Sequence, residues 1–365
     1  MHVLHVVGAR PNFIKAGPVM RALAARKGVR QTLVHTGQHY DARMSEVFFK
    51  QLDIPRPDIN LEVGSGSHAF QTAGVMSRFE QVVMEQKPDL VLVYGDVNST
   101  VAGAIVCAKM MIPVGHVEAG LRSFDRTMPE EINRILTDQV ADILFTPSPD
   151  GNENLKREGV PPERVHLVGN VMIDTLMRLV HRADRKWKQG KFTLQGQVLE
   201  QVKYAVVTLH RPSNVDDPQT LRRLMETLLD ISRRIPVVFP IHPRTRQRLE
   251  AIDFQPGDAK LRLLEPLGYL EFLALQRHAL LMITDSGGIQ EETTYLSVPC
   301  LTVRETTERP ITVTMGTNML VGHDMDRLRE QVEKILAGNK KRGRMIPLWD
   351  GKASERIAEV ILSTC

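Results

Sequence analysis

The chain has 365 residues, 42% of them hydrophobic and 25% charged, and 47 basic against 43 acidic residues give a formal net charge of +4. That length exceeds one typical core and predicts two domains, while charge spread without a long basic run argues against a nucleic-acid partner and suits an anionic small substrate. Three scattered cysteines, Cys107, Cys300 and Cys365, form no metal-ligand spacing and point to a reducing compartment; no apolar run nears the roughly 20 residues of a membrane span, so a cytoplasmic, soluble protein is expected.

The first apolar strand, Val3–Val7, runs into Gly8-Ala9-Arg10-Pro11-Asn12-Phe13-Ile14-Lys15. Arg10 and Lys15 are thereby placed where a strand meets its helix, as two surface cations or as ligands of a diphosphate. Strands follow at Gln31–His35 and Leu90–Tyr94, the latter ending in Gly95-Asp96-Val97-Asn98. The next, Val114–Val117, ends in Glu118-Ala119-Gly120-Leu121-Arg122. If these two strands are neighbours, about 5 Å apart, Asp96 and Glu118 share one rim. Close carboxylates raise each other's proton affinity, which suits acid/base work. The plainer reading makes Asp96 a helix N-cap and pairs Glu118 with Arg122. An amphipathic helix over Met128–Val140 opens at Pro129, and Glu130 and Glu131 in its first turn complement the helix dipole; one of them is free to serve as a third acid. Strands at Ile143–Phe145 and Val165–Val168 complete the first half, which closes at Gly169-Asn170.

A charged helical stretch, including the basic cluster Arg182–Lys191, bridges to the second half. There, strands Tyr204–Leu209 and Val237–Ile241 end in His210-Arg211-Pro212 and His242-Pro243-Arg244, two histidines each near an arginine and suited to anionic oxygens. Strands at Leu261–Leu264 and Leu281–Thr284 follow. The second of these leads into the most informative run, Asp285-Ser286-Gly287-Gly288-Ile289-Gln290-Glu291-Glu292. Apolar strand, small-residue turn and helix start describe a phosphate seat: glycines admit an anion close to the backbone, and the helix's first N–H groups point at it. Glu292, one turn in, is placed to accept from a ribose diol; Ser286 is the expected N-cap. Phe272, on the preceding helix, either stacks on a base or belongs to the core. After the strand Cys300–Val303, the loop Glu305–Pro310 offers Arg309 as a further diphosphate ligand.

Strand–helix alternation throughout predicts an α/β chain with parallel sheets covered on both faces. The expected domains are 1–170, carrying the acids, and 171–350, carrying the anion seat, with 351–365 as a terminal helix. No Gly-x-Gly-x-x-Gly follows the first strand and no Walker lysine is present, so neither a dinucleotide cofactor nor ATP is indicated.

Taken together and in this order, these motifs resemble the non-hydrolysing UDP-N-acetylglucosamine 2-epimerases along nearly the whole chain. The resemblance is carried by Gly8-Ala9-Arg10-Pro11 with Lys15, Thr36-Gly37-Gln38-His39, Tyr94-Gly95-Asp96, Gly115–Arg122, Pro129–Arg134, His210-Arg211, Asp285–Glu292 and Thr307-Glu308-Arg309-Pro310. It implies two Rossmann-like doubly wound domains (GT-B-like) with the active site in the interdomain cleft, a terminal helix packing back on the first domain, a homodimer, and no nicotinamide cofactor or metal. By motif, Arg10, Lys15, His210, Phe272, Ser286, Gly287, Gly288, Glu292 and Arg309 would bind the UDP portion; His242, at the end of its own strand, is a further substrate-binding candidate. Asp96, Glu118 and Glu130 would surround the sugar, and with His210 they are the expected catalytic set. The implied reaction is reversible C2 epimerisation of UDP-N-acetylglucosamine to UDP-N-acetylmannosamine, by elimination of UDP to a 2-acetamidoglucal and re-addition. Which acid serves which face of C2 stays open.

The segment Gln38–Glu46 carries Asp41 where many members with a second, activating substrate site carry glutamine, a departure from that regulatory pattern. The same segment, Leu121–Phe124 and Arg134–Gln139 resemble the branch acting on UDP-2,3-diacetamido-2,3-dideoxyglucuronate, whereas Thr307–Pro310 and Met315–Asn318 resemble the UDP-N-acetylglucosamine branch. The former sugar is therefore the alternative substrate. A GT-B glycosyltransferase and a non-catalytic nucleotide-sugar sensor are the rival classes, and clustered acids favour internal proton transfer over both.

Overall fold

A computed structural model of the chain describes residues 1–37, 51–189, 193–194, 197–199, 202–257 and 259–364. The family-like dipeptide Gln38-His39 and the departure at Asp41 lie outside the described residues. The chain forms two compact units, Met1–Arg178 with Pro347–Cys365, and Leu179–Ile346. The division falls within the helix Val171–Lys188.

The first unit is built on seven strands: β1 (His2–Val7), β2 (Arg30–His35), β3 (Ile59–Asn60), β4 (Leu90–Tyr94), β5 (Val114–Val117), β6 (Ile143–Thr146) and β7 (Val165–Leu167). Their order is β3-β2-β1-β4-β5-β6-β7 and every pair is parallel. Strands covered on both faces must be apolar nearly throughout, and Leu90–Tyr94 is buried at every position. The order reverses between β1 and β4, which opens a crevice at the carboxyl ends of those two strands.

The terminal helix Ala353–Thr364 packs on the helix Arg10–Ala24. Asp174 fixes its start, accepting from Ala353 N and Ser354 N at 3.2 and 2.7 Å. Trp349 Nε1 donates to Pro147 O at 3.0 Å, and Arg356 Nη1 to Val168 O at 2.9 Å. Gly169 lets this segment approach: its φ is +90°, and a Cβ there would lie 2.1 Å from Leu348 O.

After a short antiparallel pair, β8 (Thr193–Leu194) with β9 (Gln197–Val198), the second unit holds six strands. These are β10 (Ala205–Thr208), β11 (Val237–Pro240), β12 (Leu261–Leu264), β13 (Leu281–Thr284), β14 (Cys300–Thr302) and β15 (Asn318–Leu320), in the parallel order β12-β11-β10-β13-β14-β15. The reversal lies between β10 and β13, the counterpart of the first unit's. Each unit has its own core, Leu4, Val34, Phe79, Val93 and Leu144 in one and Val207, Leu224, Phe239, Ile283 and Leu328 in the other. Two such doubly wound units make the fold GT-B-like. All eleven strands expected from sequence are present to within one residue at each end. The unforeseen ones are edge or hairpin strands of two or three residues. Among the described residues no helix is long and apolar enough to cross a membrane.

Candidate active site

In the first unit, parallel register brings Tyr94 opposite Val117 and Val117 opposite Phe145. The residues just beyond, Gly95-Asp96 and Glu118, therefore stand side by side at the crevice. Asn12 ties two of the turns together: its Oδ1 accepts from Gly8 N and Ala9 N at 3.1 and 3.0 Å, and its Nδ2 donates to Tyr94 O at 2.7 Å.

Glu118 is not paired with Arg122. Lys15 Nζ donates to Glu118 Oε1 at 2.8 Å, and both side chains are buried. Gly95 makes room for that contact, since a Cβ there would lie 2.6 Å from Lys15 Nζ. Glu118 itself has φ +78°, a conformation that costs a non-glycine residue roughly 1–2 kcal/mol and that gathers at functional sites. Its N–H and that of Ala119 both donate to Phe145 O, at 3.1 and 3.0 Å, which holds the turn in place.

Asp96 is not a helix cap either; Val97 occupies that position. Its carboxylate pairs with Arg134, which is buried and also grips Glu131. Glu131 accepts from Ser123 N at 3.0 Å and Phe124 N at 2.8 Å. Burial pushes the Glu131 carboxyl up, but Ser123, Arg134 and Phe124 outweigh it and hold it below the usual range. Glu131 is thus the structural member of its pair. Glu130 is half-buried and makes no ion pair or hydrogen bond among the described residues. It lies four residues before Arg134, on the same helix face, so the face that meets Asp96 also carries Glu130.

In the second unit the crevice is organised by Asp285. Its buried carboxylate accepts from His210 N and Arg211 N at 2.9 Å each and from Asn214 Nδ2 at 3.0 Å; His210 Nδ1 lies 2.9 Å away. Burial alone would raise this carboxyl, yet His210, Arg211 and Asn214 bring it down to about 2. The His210 ring, partly exposed, is tilted against His242 with centroids 5.6 Å apart.

The glycine turn opens the helix Gly287–Leu296 with Ser286 at the N-cap position, where its side chain makes no cap hydrogen bond. Arg309 lies under this turn. Its Nε is 2.9 Å from Glu291 Oε1, and its Nη1 pairs with Glu308. Glu308 also meets Arg304 at 2.7 Å and Arg211 at 3.5 Å. A Cβ on Gly287 would lie 2.3 Å from Arg309 Nη1, so only glycine lets the turn rest on that ion pair. Glu292 is buried and accepts from Tyr269 Oη at 2.8 Å; burial, only partly offset by that hydroxyl, lifts its carboxyl to about 7. Phe272 is half-buried on the neighbouring helix Tyr269–His278.

The structure thus gathers Asp96, Glu118, Glu130 and Lys15 on one rim, and His210, His242, Ser286, Gly287, Gly288, Glu292 and Arg309 around the other. It separates Arg10 from Lys15: Arg10 is exposed at the first position of its helix, while Lys15 is engaged by Glu118. Arg134, Asn12 and Asp285 are site residues to which sequence reasoning gave no role, because their partners are 38, 82 and 75 residues away.

The family described as UDP-N-acetylglucosamine 2-epimerase matches residues 21–362. A relative from Methanocaldococcus jannaschii, named UDP-N-acetylglucosamine 2-epimerase, is 42% identical over 98% of this chain and 97% of its own. A Pseudomonas aeruginosa relative, named UDP-2,3-diacetamido-2,3-dideoxy-D-glucuronate 2-epimerase, is also 42% identical, over 99% of each chain. The crystal structure of the M. jannaschii UDP-GlcNAc 2-epimerase in complex with UDP-GlcNAc and UDP has a TM-score of 0.91 at 40% identity, covering 100% of both chains. Similarity of this extent, unbroken from one end of the chain to the other, makes the protein a member of the UDP-N-acetylglucosamine 2-epimerase family.

Proposed function

We propose that the chain interconverts UDP-N-acetylglucosamine and UDP-N-acetylmannosamine by elimination and re-addition of UDP. The observation that carries this reading is the gathering of Asp96, Glu118 and Glu130 at one crevice, the first two beside Arg134 and Lys15. One acid removes the C2 proton; its electron pair forms the C1–C2 double bond while the C1–O bond breaks and UDP departs with that bond's electrons. In the return step UDP oxygen attacks C1, and a second acid delivers a proton to the opposite face of C2.

The second unit's rim supports a nucleotide seat. The N–H groups at the start of Gly287–Leu296 suit a diphosphate, with Arg309, His242 and His210 as its polar neighbours. Glu292 suits the ribose and Phe272 the base. His210, held against Asp285, is placed to answer negative charge that develops on the departing UDP. Family membership supports a homodimer in the cytoplasm serving polysaccharide biosynthesis, checked by light scattering of the purified protein and by the sugar its host assembles.

The 42% identity of the P. aeruginosa relative favours a second reading, UDP-2,3-diacetamido-2,3-dideoxyglucuronate as substrate. Against it, the arginines of two of the segments that carry this likeness are engaged internally, Arg122 by Asp138 and Glu158 and Arg134 by Asp96 and Glu131, while Arg43 of the third lies outside the described residues. Proton NMR of the protein with each sugar nucleotide in D₂O decides. A UDP-N-acetylmannosamine anomeric signal with deuterium at C2 supports the first reading. Turnover of the uronate alone replaces it with the second, and turnover of neither overturns both.

A further inference from the structure

His116 sits in the middle of β5, fully buried, in a strand otherwise composed of Val114, Gly115 and Val117. Both of its ring nitrogens face acceptors. Nδ1 lies 2.6 Å from Asp138 Oδ1, and Nε2 lies 2.8 Å from the carbonyl oxygen of Gly95. A neutral imidazole carries one N–H and one lone pair, so it satisfies only one such neighbour. Satisfying both requires a hydrogen on each nitrogen, that is, an imidazolium.

Its counter-charge is Asp138, which is also fully buried and completes its hydrogen bonds through Oδ2: Gly120 N donates at 3.0 Å and Arg122 Nη1 lies at 2.7 Å. Arg122 is in turn held by Glu158 at 2.7 Å. Burial raises the Asp138 carboxyl, but His116 and Arg122 outweigh it and keep it below the usual range.

What this buried pair touches is specific. Gly95 is the residue before Asp96, and its φ of +66° makes it the pivot of that turn. Its N–H donates to Val117 O at 3.0 Å while its carbonyl receives the His116 ring. Gly120, gripped by the other end of the pair, lies two residues past Glu118. One buried carboxylate therefore reaches both acid-bearing turns, one directly and one through the imidazole.

We propose that Asp138 and His116 are a positioning pair for the proton-transfer step: Asp138 holds His116 as an imidazolium whose Nε2–H fixes the Gly95 carbonyl, and so sets where the Asp96 carboxylate stands relative to Glu118. The inference rests on the proposed epimerase reaction. Displacing a reacting group by about 1 Å costs on the order of a hundredfold in rate, with no direct effect on the nucleotide seat in the other unit.

The variants separate the two ends of the ring. In His116→Asn the amide nitrogen falls near Nδ1, keeping Asp138 and losing Gly95; in His116→Gln it falls near Nε2 and keeps the Gly95 contact. The expected result is a turnover loss of about a hundredfold in His116→Asn, with UDP affinity and KM within a few-fold of wild type, and recovery of about tenfold in His116→Gln. Equal losses in both variants, or a loss appearing in KM and UDP affinity, would overturn the pair's positioning role. A second readout is independent of turnover. In protein with ¹⁵N-labelled histidine, the resonances absent from His116→Gln should show a hydrogen on both ring nitrogens; a single protonated nitrogen would overturn the imidazolium. Should the wild type turn over neither sugar nucleotide, the reaction reading fails, and the nitrogen spectrum still tests the charge state by itself.

Discussion

The two crevices share a topology and differ in how they treat charge. In each unit the strand order reverses beside the first strand, and polar residues stand on the carboxyl ends of the strands flanking the reversal. In the first unit the acids meet cations, Glu118 with Lys15 and Asp96 with Arg134. In the second, the deepest carboxylate, Asp285, is held mainly by N–H donors, and Glu292 has a phenol for its neighbour. The first arrangement sets a cation against each of the carboxylates proposed to move protons. The second shapes backbone and keeps a buried acid near its neutral form. One topology thus carries two different charge arrangements, with the residues after each strand deciding which, and the proposed function assigns proton chemistry to the first and anion recognition to the second.

The sharpest break of this comparison is Glu118→Gln. It removes the proposed proton acceptor and leaves the Lys15 ammonium buried beside an amide, so turnover should fall by about a thousandfold, in the usual range for a lost acid/base group. UDP affinity, which the proposal places in the second unit, should stay within a few-fold. Deuterium uptake at C2 and calorimetric UDP binding report the two separately. A loss confined to UDP binding would reverse the assignment of the rims.

Next in size is Asp285→Ala, which tests the other rim. Two backbone N–H groups and the Asn214 amide lose their acceptor, and unmade hydrogen bonds of this kind cost about 1–3 kcal/mol each. UDP affinity should drop by about a hundredfold. The acid limb of stability should change as well. A carboxyl at about 2 in the folded chain, against 3.8 as its ordinary value, supplies about 2 kcal/mol. The folded pKa is depressed, so that contribution is fully present above pH 3.8 and is lost as pH falls towards 2. Chemical unfolding between pH 2 and 5 should show this slope in the wild type and lack it in the variant.

Two glycines then make a matched pair. Gly95→Ala forces a Cβ to within 2.6 Å of Lys15 Nζ at a φ of +66°, and Gly287→Ala one to within 2.3 Å of Arg309 Nη1. The first should lower turnover about tenfold and stability by about 1–2 kcal/mol, leaving UDP binding intact. The second should weaken UDP binding instead. Identical phenotypes would mean that the rims do not divide the work.

Much of this was legible in the sequence because strand-terminal position is a local property. Asp96, Glu118, His210 and the Asp285–Glu292 run each follow a recognisable apolar strand, and parallel order converts that position into a shared rim. The partners were not legible. Sequence proximity groups Lys15 with Arg10, five residues away, yet its contact is Glu118, 103 residues away. Arg122 was the sequence-local partner for Glu118, but it faces Asp138 and Glu158. His116 left one signal, a titratable residue inside a four-residue apolar strand, which marks a buried polar group in need of partners. The edge strand Ile59–Asn60 left none, since two residues carry no period.

The smallest effect on turnover is expected at Glu292, and stability is the better readout there. The carboxyl sits at about 7 in the folded chain against an ordinary 4.5, with burial as the leading cause and the Tyr269 hydroxyl a partial offset. A raised carboxylate pKa works opposite to that of Asp285. Between pH 4.5 and 7 the folded chain holds the proton that the unfolded chain releases, so stability declines as pH rises through that window, by about 3 kcal/mol in all. Glu292→Gln keeps an oxygen for the Tyr269 hydroxyl and has no proton to lose. Its stability should match the wild type at pH 4 and exceed it by about that amount at pH 8, while turnover changes by no more than a few-fold. Parallel stability curves for the two proteins would show that Glu292 titrates alike in the folded and unfolded chains, and burial would then not set its charge.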